Sequence, residues 1–113
     1  MEKIVEQGLL YDFYGELLTE HQKQIYEAAV YNDMSLTEIA DEHGISKQGV
    51  HDLIKRCTKT LQGYEDKLHM IRRFEAIKSK AEELKNASAN EDDVANLRKI
   101  AQDISENILE ELT

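Results

Sequence analysis

The stretch from Ser35 to Arg56 holds two helix openings and one helix stop at fixed offsets, which constrains the fold more than any other part of the chain. Ser35 and Glu38 stand three apart, the spacing of a capping box, in which each side chain satisfies the backbone N–H of the other residue. Gly44 follows where a left-handed residue would end that helix, a conformation glycine adopts without strain. Ser46 then offers an N-cap oxygen to a second helix that starts at Lys47. Ala40 is small where the two helices must come close. Helix, tight turn, helix is the pattern of a helix-turn-helix, whose second helix is free to enter a DNA groove. A helical hairpin with no nucleic-acid role carries the same spacing, so the faces of the second helix have to be examined.

At about 100° per residue, Lys47, Gln48, His51, Asp52, Lys55, Arg56 and Lys59 share one half of the helix circumference. Val50, Leu53, Ile54, Cys57, Thr60 and Leu61 occupy the other half. Gly49 sits on the boundary and costs the helix about 1 kcal/mol against alanine. Two explanations fit it: a close contact with the preceding helix, or close approach to a phosphate.

The 113 residues are one domain's worth, or a small domain with an appendage, and contain no proline and only five glycines. With 33% of residues charged, such a chain favours long helices. No apolar run approaches the ~20 residues of a membrane span. Glu2 and Glu6 interrupt any signal-peptide pattern, and Cys57 is alone, so a cytoplasmic location is expected. Net charge is −9, the opposite of the usual sign for a DNA-binding domain. Its distribution is uneven: residues 46–62 hold Lys47, Lys55, Arg56 and Lys59 against Asp52 alone, a local +3. Salt screens charges beyond about 8–10 Å, so such a patch can act locally while the whole molecule repels DNA at long range. Weak or conditional binding is the expectation.

Upstream, residues 3–18 read as an amphipathic helix whose stripe runs from Ile4 and Val5 through Leu10 and Tyr14 to Leu18. Gly8 and Gly15, on nearly the same face, suggest close contact with another helix. Thr19 and Gln22 form a second capping box, opening a helix to about Tyr31, and Asn32-Asp33 closes it in a polar turn. Downstream of Gly63, Tyr64, Leu68, Ile71, Phe74, Ile77, Ala81 and Leu84 step by three or four, in a helix that either continues the second helix of the motif or breaks from it at Gly63. Residues 86–90 read as a linker, Asn90 as a cap, and Glu91, Asp92 and Asp93 as complements to the dipole of a last helix. In that helix Val94, Leu97, Ala101, Ile104 and Ile108 repeat near a coiled-coil seam. The fold class expected is all-α: a tri-helical helix-turn-helix core over residues 1–63 and a C-terminal helical hairpin over residues 64–113. The hairpin's stripes exceed what a small core covers, so a homodimer through it is expected; packing within one chain is the alternative.

The segments Leu18–Gln22, Ser35–Ala40 and Ile45–Val50 resemble region 4 of bacterial sigma factors. Together with Leu10–Gly15 and Tyr64–His69 they resemble, more narrowly, the YlxM-like family of small helix-turn-helix proteins of Gram-positive bacteria. The resemblance covers about residues 3–75. It implies a tri-helical fold and a regulatory role in the signal recognition particle pathway, whose GTPase and receptor genes are neighbours of the family's genes. Carried over from the sigma pattern, the base-reading positions are Lys47, Gln48, Gly49, His51 and Asp52. Lys47 suits guanine or phosphate, and Gln48 suits adenine. The chain departs from that pattern at three of them. Gly49 has no side chain to read with, His51 replaces a permanent cation, and Asp52 only accepts, which suits a cytosine amino group.

No enzyme is expected. His21, His43, His51 and His69 form no i, i+4 pair, and neither zinc spacing, a phosphate loop nor a nucleophile triad is present. No cofactor or metal is implied. The leading expectation is a DNA-binding regulator using Lys47, Gln48, His51, Asp52, Lys55, Arg56 and Lys59. The alternatives are an adaptor docking on the secretion or transcription machinery and, third, a binder of structured RNA.

Overall fold

The computed structural model describes residues 3–113, and these are helical without a strand. Six α-helices follow one another: α1 (Lys3–Tyr14), α2 (Glu20–Val30), α3 (Leu36–His43), α4 (Lys47–Leu68), α5 (Met70–Asn90) and α6 (Val94–Leu112), with a 3-10 turn Gly15–Leu17 after α1. Both capping boxes form in both directions. Thr19 Oγ1 accepts from Gln22 N at 3.2 Å and Gln22 Oε1 from Thr19 N at 2.9 Å. Ser35 Oγ accepts from Glu38 N at 3.1 Å, and Glu38 Oε1 from Ser35 N at 3.3 Å. Gly44 ends α3 at φ 65° and ψ 31°, and Ile45 N–H reaches back to the Ala40 carbonyl at 3.1 Å. Ser46 Oγ accepts from Gly49 N at 2.9 Å and starts α4.

Around the motif, Ile25 and Ala28 of α2, Ile39 and Ala40 of α3 and Val50 of α4 form a fully buried cluster. Met34, Leu36, Ile45, Leu53 and Ile54 flank it. Leu10, Tyr14 and Leu18 are buried as well, but the rest of the first stripe is not: Ile4, Val5 and Leu17 stay exposed. The first helix also stops at Tyr14 instead of Leu18 and passes into the 3-10 turn, where Gly15 lies so close to the Tyr11 ring that a Cβ would come within 2.7 Å of Cε1. That contact lies within the first helix and its turn; Gly8 meets α2, with its Cβ position 4.0 Å from Val30 Cγ1.

Polar side chains bind α1, α2 and α4 together. Thr58 Oγ1 donates to the Ile54 carbonyl at 2.9 Å, so it accepts from Tyr26 OH at 2.8 Å and from Gln7 Nε2 at 3.3 Å. Thr60, expected on the inward face of α4, is exposed, and Thr58 points inward in its place. Tyr14 OH donates to Glu65 Oε1 at 2.6 Å, Tyr11 OH donates to Glu27, and the Tyr31 hydroxyl reaches Asp12 and the Gly8 carbonyl. Tyr11 also stacks on Tyr26 with centroids 5.6 Å apart. Among the described residues no buried side-chain nitrogen or oxygen lacks a partner.

α4 crosses Gly63 without a break and ends at Leu68, with His69 as a left-handed cap at φ 56°. The chain accordingly divides into two compact units, one ending at His69 and the other spanning Met70–Thr113. The downstream stripe is thus shared between helices: Tyr64 and Leu68 belong to α4, Ile71 onward to α5. In the second unit α5 and α6 pack as a hairpin whose turn is shorter than the sequence suggests. Residues 86–90 are helical, with Asn90 Nδ2 donating to the Asn86 carbonyl at 2.9 Å. The cap of α6 is Asp93, whose Oδ1 accepts from Ala95 N at 3.0 Å, and not Asn90. Glu91 braces the turn, accepting from Asp93 N at 3.0 Å and Asn96 Nδ2 at 2.7 Å.

Candidate nucleic-acid interface

Burial of Val50, Cys57 and Leu61 fixes the rotation of α4, which turns the opposite side to solvent. Lys47, Gln48, His51, Asp52, Lys55, Arg56 and Lys59 are all exposed there. Lys47, Lys55, Arg56 and Lys59 have no ion-pair partner among the described residues. Burial pushes the Cys57 thiol above its ordinary value, and the adjacent Arg56 charge pulls the other way. Cys57 is a core residue.

The three residues of the face that are not permanent cations meet at one carboxylate. Gln48 Nε2 donates to Asp52 Oδ1 at 3.0 Å, and His51 Nδ1 lies 3.6 Å from the same oxygen. An i, i+4 amide–carboxylate pair is visible in sequence spacing. Asp52 thus has a partner on its own helix. Gly49 makes no close contact with α3, since the atom a Cβ would crowd is its own cap, Ser46 Oγ, at 3.0 Å. Between the starts of α3 and α4 lies an open hollow of about 380 Å³ lined by Leu36, Lys47, Gln48 and His51. Leu36 escapes sequence reasoning because only the crossing of α3 and α4 brings it beside Lys47, Gln48 and His51. The same packing sets His21 of α2 edge-on to His43 of α3, with ring centroids 5.9 Å apart. No group of three or more His, Cys, Asp or Glu gathers at a metal-binding distance among the described residues. No described helix is long and apolar enough to cross a membrane.

A second helix held by its cap and its apolar back, with cations on its free side, defines a helix-turn-helix protein. The chain belongs to the family described as "Putative helix-turn-helix protein, YlxM / p13 like" (UPF0122), which matches residues 1–107. It is 38% identical over 100 residues to the UPF0122 protein YlxM of Bacillus subtilis, covering 86% of this chain and 91% of that one. A UPF0122 protein of Shouchella clausii is 40% identical over 91 residues, covering 80% and 84%. One from Thermoanaerobacter sp. (strain X514) is 46% identical over 77 residues, 68% of this chain and 66%, just under two thirds, of that protein.

Proposed function

We propose that this protein is a DNA-binding regulator that grips duplex DNA with the exposed face of α4 and acts as a homodimer joined through the α5–α6 hairpin. The observation that carries this reading is the set Lys47, Lys55, Arg56 and Lys59, all exposed and none paired with an acid among the described residues. On a molecule of net charge −9, such a row suits an external polyanion, and the phosphodiester backbone is one. Gln48, His51 and Asp52 lie among the cations, where base edges would be met. Long-range repulsion from the remaining acids makes the binding weak, and the counterions that the cations release from the phosphates make it fall with salt. The resemblance to the YlxM-like family supports a regulatory role in the signal recognition particle pathway, and a cytoplasmic location goes with that reading.

Binding to duplex DNA from the protein's own operon, followed by fluorescence anisotropy against salt concentration, tests the reading. Four phosphate contacts give a log–log slope of about −3.6 per protomer. Lys55→Glu with Lys59→Glu abolishes binding and leaves helicity intact. Parent protein that shows no salt-dependent binding overturns the reading. The acidic total favours a second reading, an adaptor docked on a protein of the secretion machinery. Co-purification with the signal recognition particle GTPase that survives nuclease treatment is the result expected of that adaptor.

A further inference from the structure

Asp52 is an acid placed where cations face the partner, and the structure gives it another task. We propose that Asp52 is a positioning residue that sets Gln48 to read adenine, and that the corner formed by Gln48 and Leu36 selects an A·T base pair in the major groove. The inference rests on the DNA-reading function proposed above.

A primary amide carries two N–H donors and one carbonyl acceptor, and a free glutamine turns between orientations. The bond from Gln48 Nε2 to Asp52 Oδ1, 3.0 Å long, engages one N–H and fixes which end of the amide faces back along α4. A bond made through the N–H that points away from Oε1 leaves the N–H beside Oε1 free, and this donor–acceptor edge is what N7 and the N6 amino group of adenine require. The hollow next to Gln48 adds the second half. Leu36 is the apolar member of its lining, which Lys47 and His51 complete. In the major groove the partner of adenine presents a C5-methyl group, which suits an aliphatic wall; a G·C pair has no methyl group and offers N7 and O6 as two adjacent acceptors. Amide edge and leucine wall together therefore match A·T, and the cytosine contact that residue type alone would assign to Asp52 is not needed.

The test selects duplexes of about two helical turns from a random-sequence pool with the full-length protein, then alters the enriched position chemically. Enrichment of a fixed A·T pair is expected. Replacing its adenine by 7-deazaadenine, which lacks N7, weakens binding about 5- to 100-fold. Replacing its thymine by deoxyuridine, which lacks the methyl group, weakens binding about fourfold. Asp52→Ala binds with the same salt slope but no longer distinguishes adenine from 7-deazaadenine. Asp52→Asn, whose amide oxygen still accepts from Gln48, keeps the distinction; both variants lose the same charge, so the difference reports the acceptor alone. An Asp52→Ala protein that still discriminates overturns the assignment of Asp52 while leaving DNA reading in place. Selection of G·C, or indifference to deoxyuridine, overturns the A·T corner. Absence of salt-dependent binding by the parent removes both this inference and the reading beneath it.

Discussion

Thr58 carries more of the N-terminal unit than its size suggests. Its hydroxyl takes one proton from Tyr26 of α2, another from Gln7 of α1, and gives its own to the Ile54 carbonyl of α4. Thr58→Val keeps the shape and leaves the Tyr26 hydroxyl buried without an acceptor. The expected cost is about 1–3 kcal/mol, read as a lowered thermal midpoint, with Gln7→Ala costing less because its bond is longer. A Thr58→Val midpoint equal to the parent's would mean that water replaces the hydroxyl. The sequence contained this residue but not its role. At Gly44 the opposite holds: a glycine after a short amphipathic run already implies the φ of 65° that the backbone adopts. At His69 the left-handed φ of 56° falls on a residue that no local rule singles out.

At the scale of elements, what was legible is what local chemistry controls. Caps need only a residue and its third neighbour, so Thr19, Ser35 and Ser46 fixed the starts of α2, α3 and α4 without reference to packing. Ends were less legible. Residues 86–90 are polar and small but contain neither proline nor glycine, so nothing prevents α5 from running through them, and its end falls at Asn90. The hairpin carries its own prediction. Val94 and Leu112 lie on one line of α6, with Leu109 about 60° away, and all three stay more than half exposed. Sedimentation of the full chain is expected to give a dimer, and Val94→Glu with Leu112→Glu a monomer with intact helices. A monomer at every concentration for the parent would overturn dimerisation through this face.

For the whole molecule, charge and ionisation set the conditions of stability. Half of the Tyr31 side chain is exposed, but its hydroxyl lies against α1; loss of water there, the hydrogen bond to Asp12 and the Asp12 charge push it up to about 12 from an ordinary 10.0. Burial, reinforced by Glu27, raises Tyr11, and burial raises Tyr26 and Cys57. In each case the neutral form is favoured by folding, so its contribution is complete below the unfolded value and is lost as pH rises through the folded one. Stability therefore declines from about pH 9–10, where the thiol and the phenols ionise in the unfolded chain. Urea midpoints across alkaline pH should fall in that window, and Tyr31→Phe, which removes one raised phenol, should make the fall shallower. A decline that begins near neutrality would point to other groups.

The amino-acid sequence by itself determined where α2, α3 and α4 begin, the inward and outward sides of α4 apart from the exchange of Thr60 for Thr58, and the concentration of cations on its free side. These follow from spacing, because capping and periodicity are properties of a few consecutive residues. Tertiary structure alone decided that α4 runs on to Leu68, that Thr58 joins three helices, and that Leu36 stands at the mouth of a hollow beside Gln48. Each of these depends on how helices cross, and crossing is settled by side-chain volumes from distant parts of the chain, which no local pattern records.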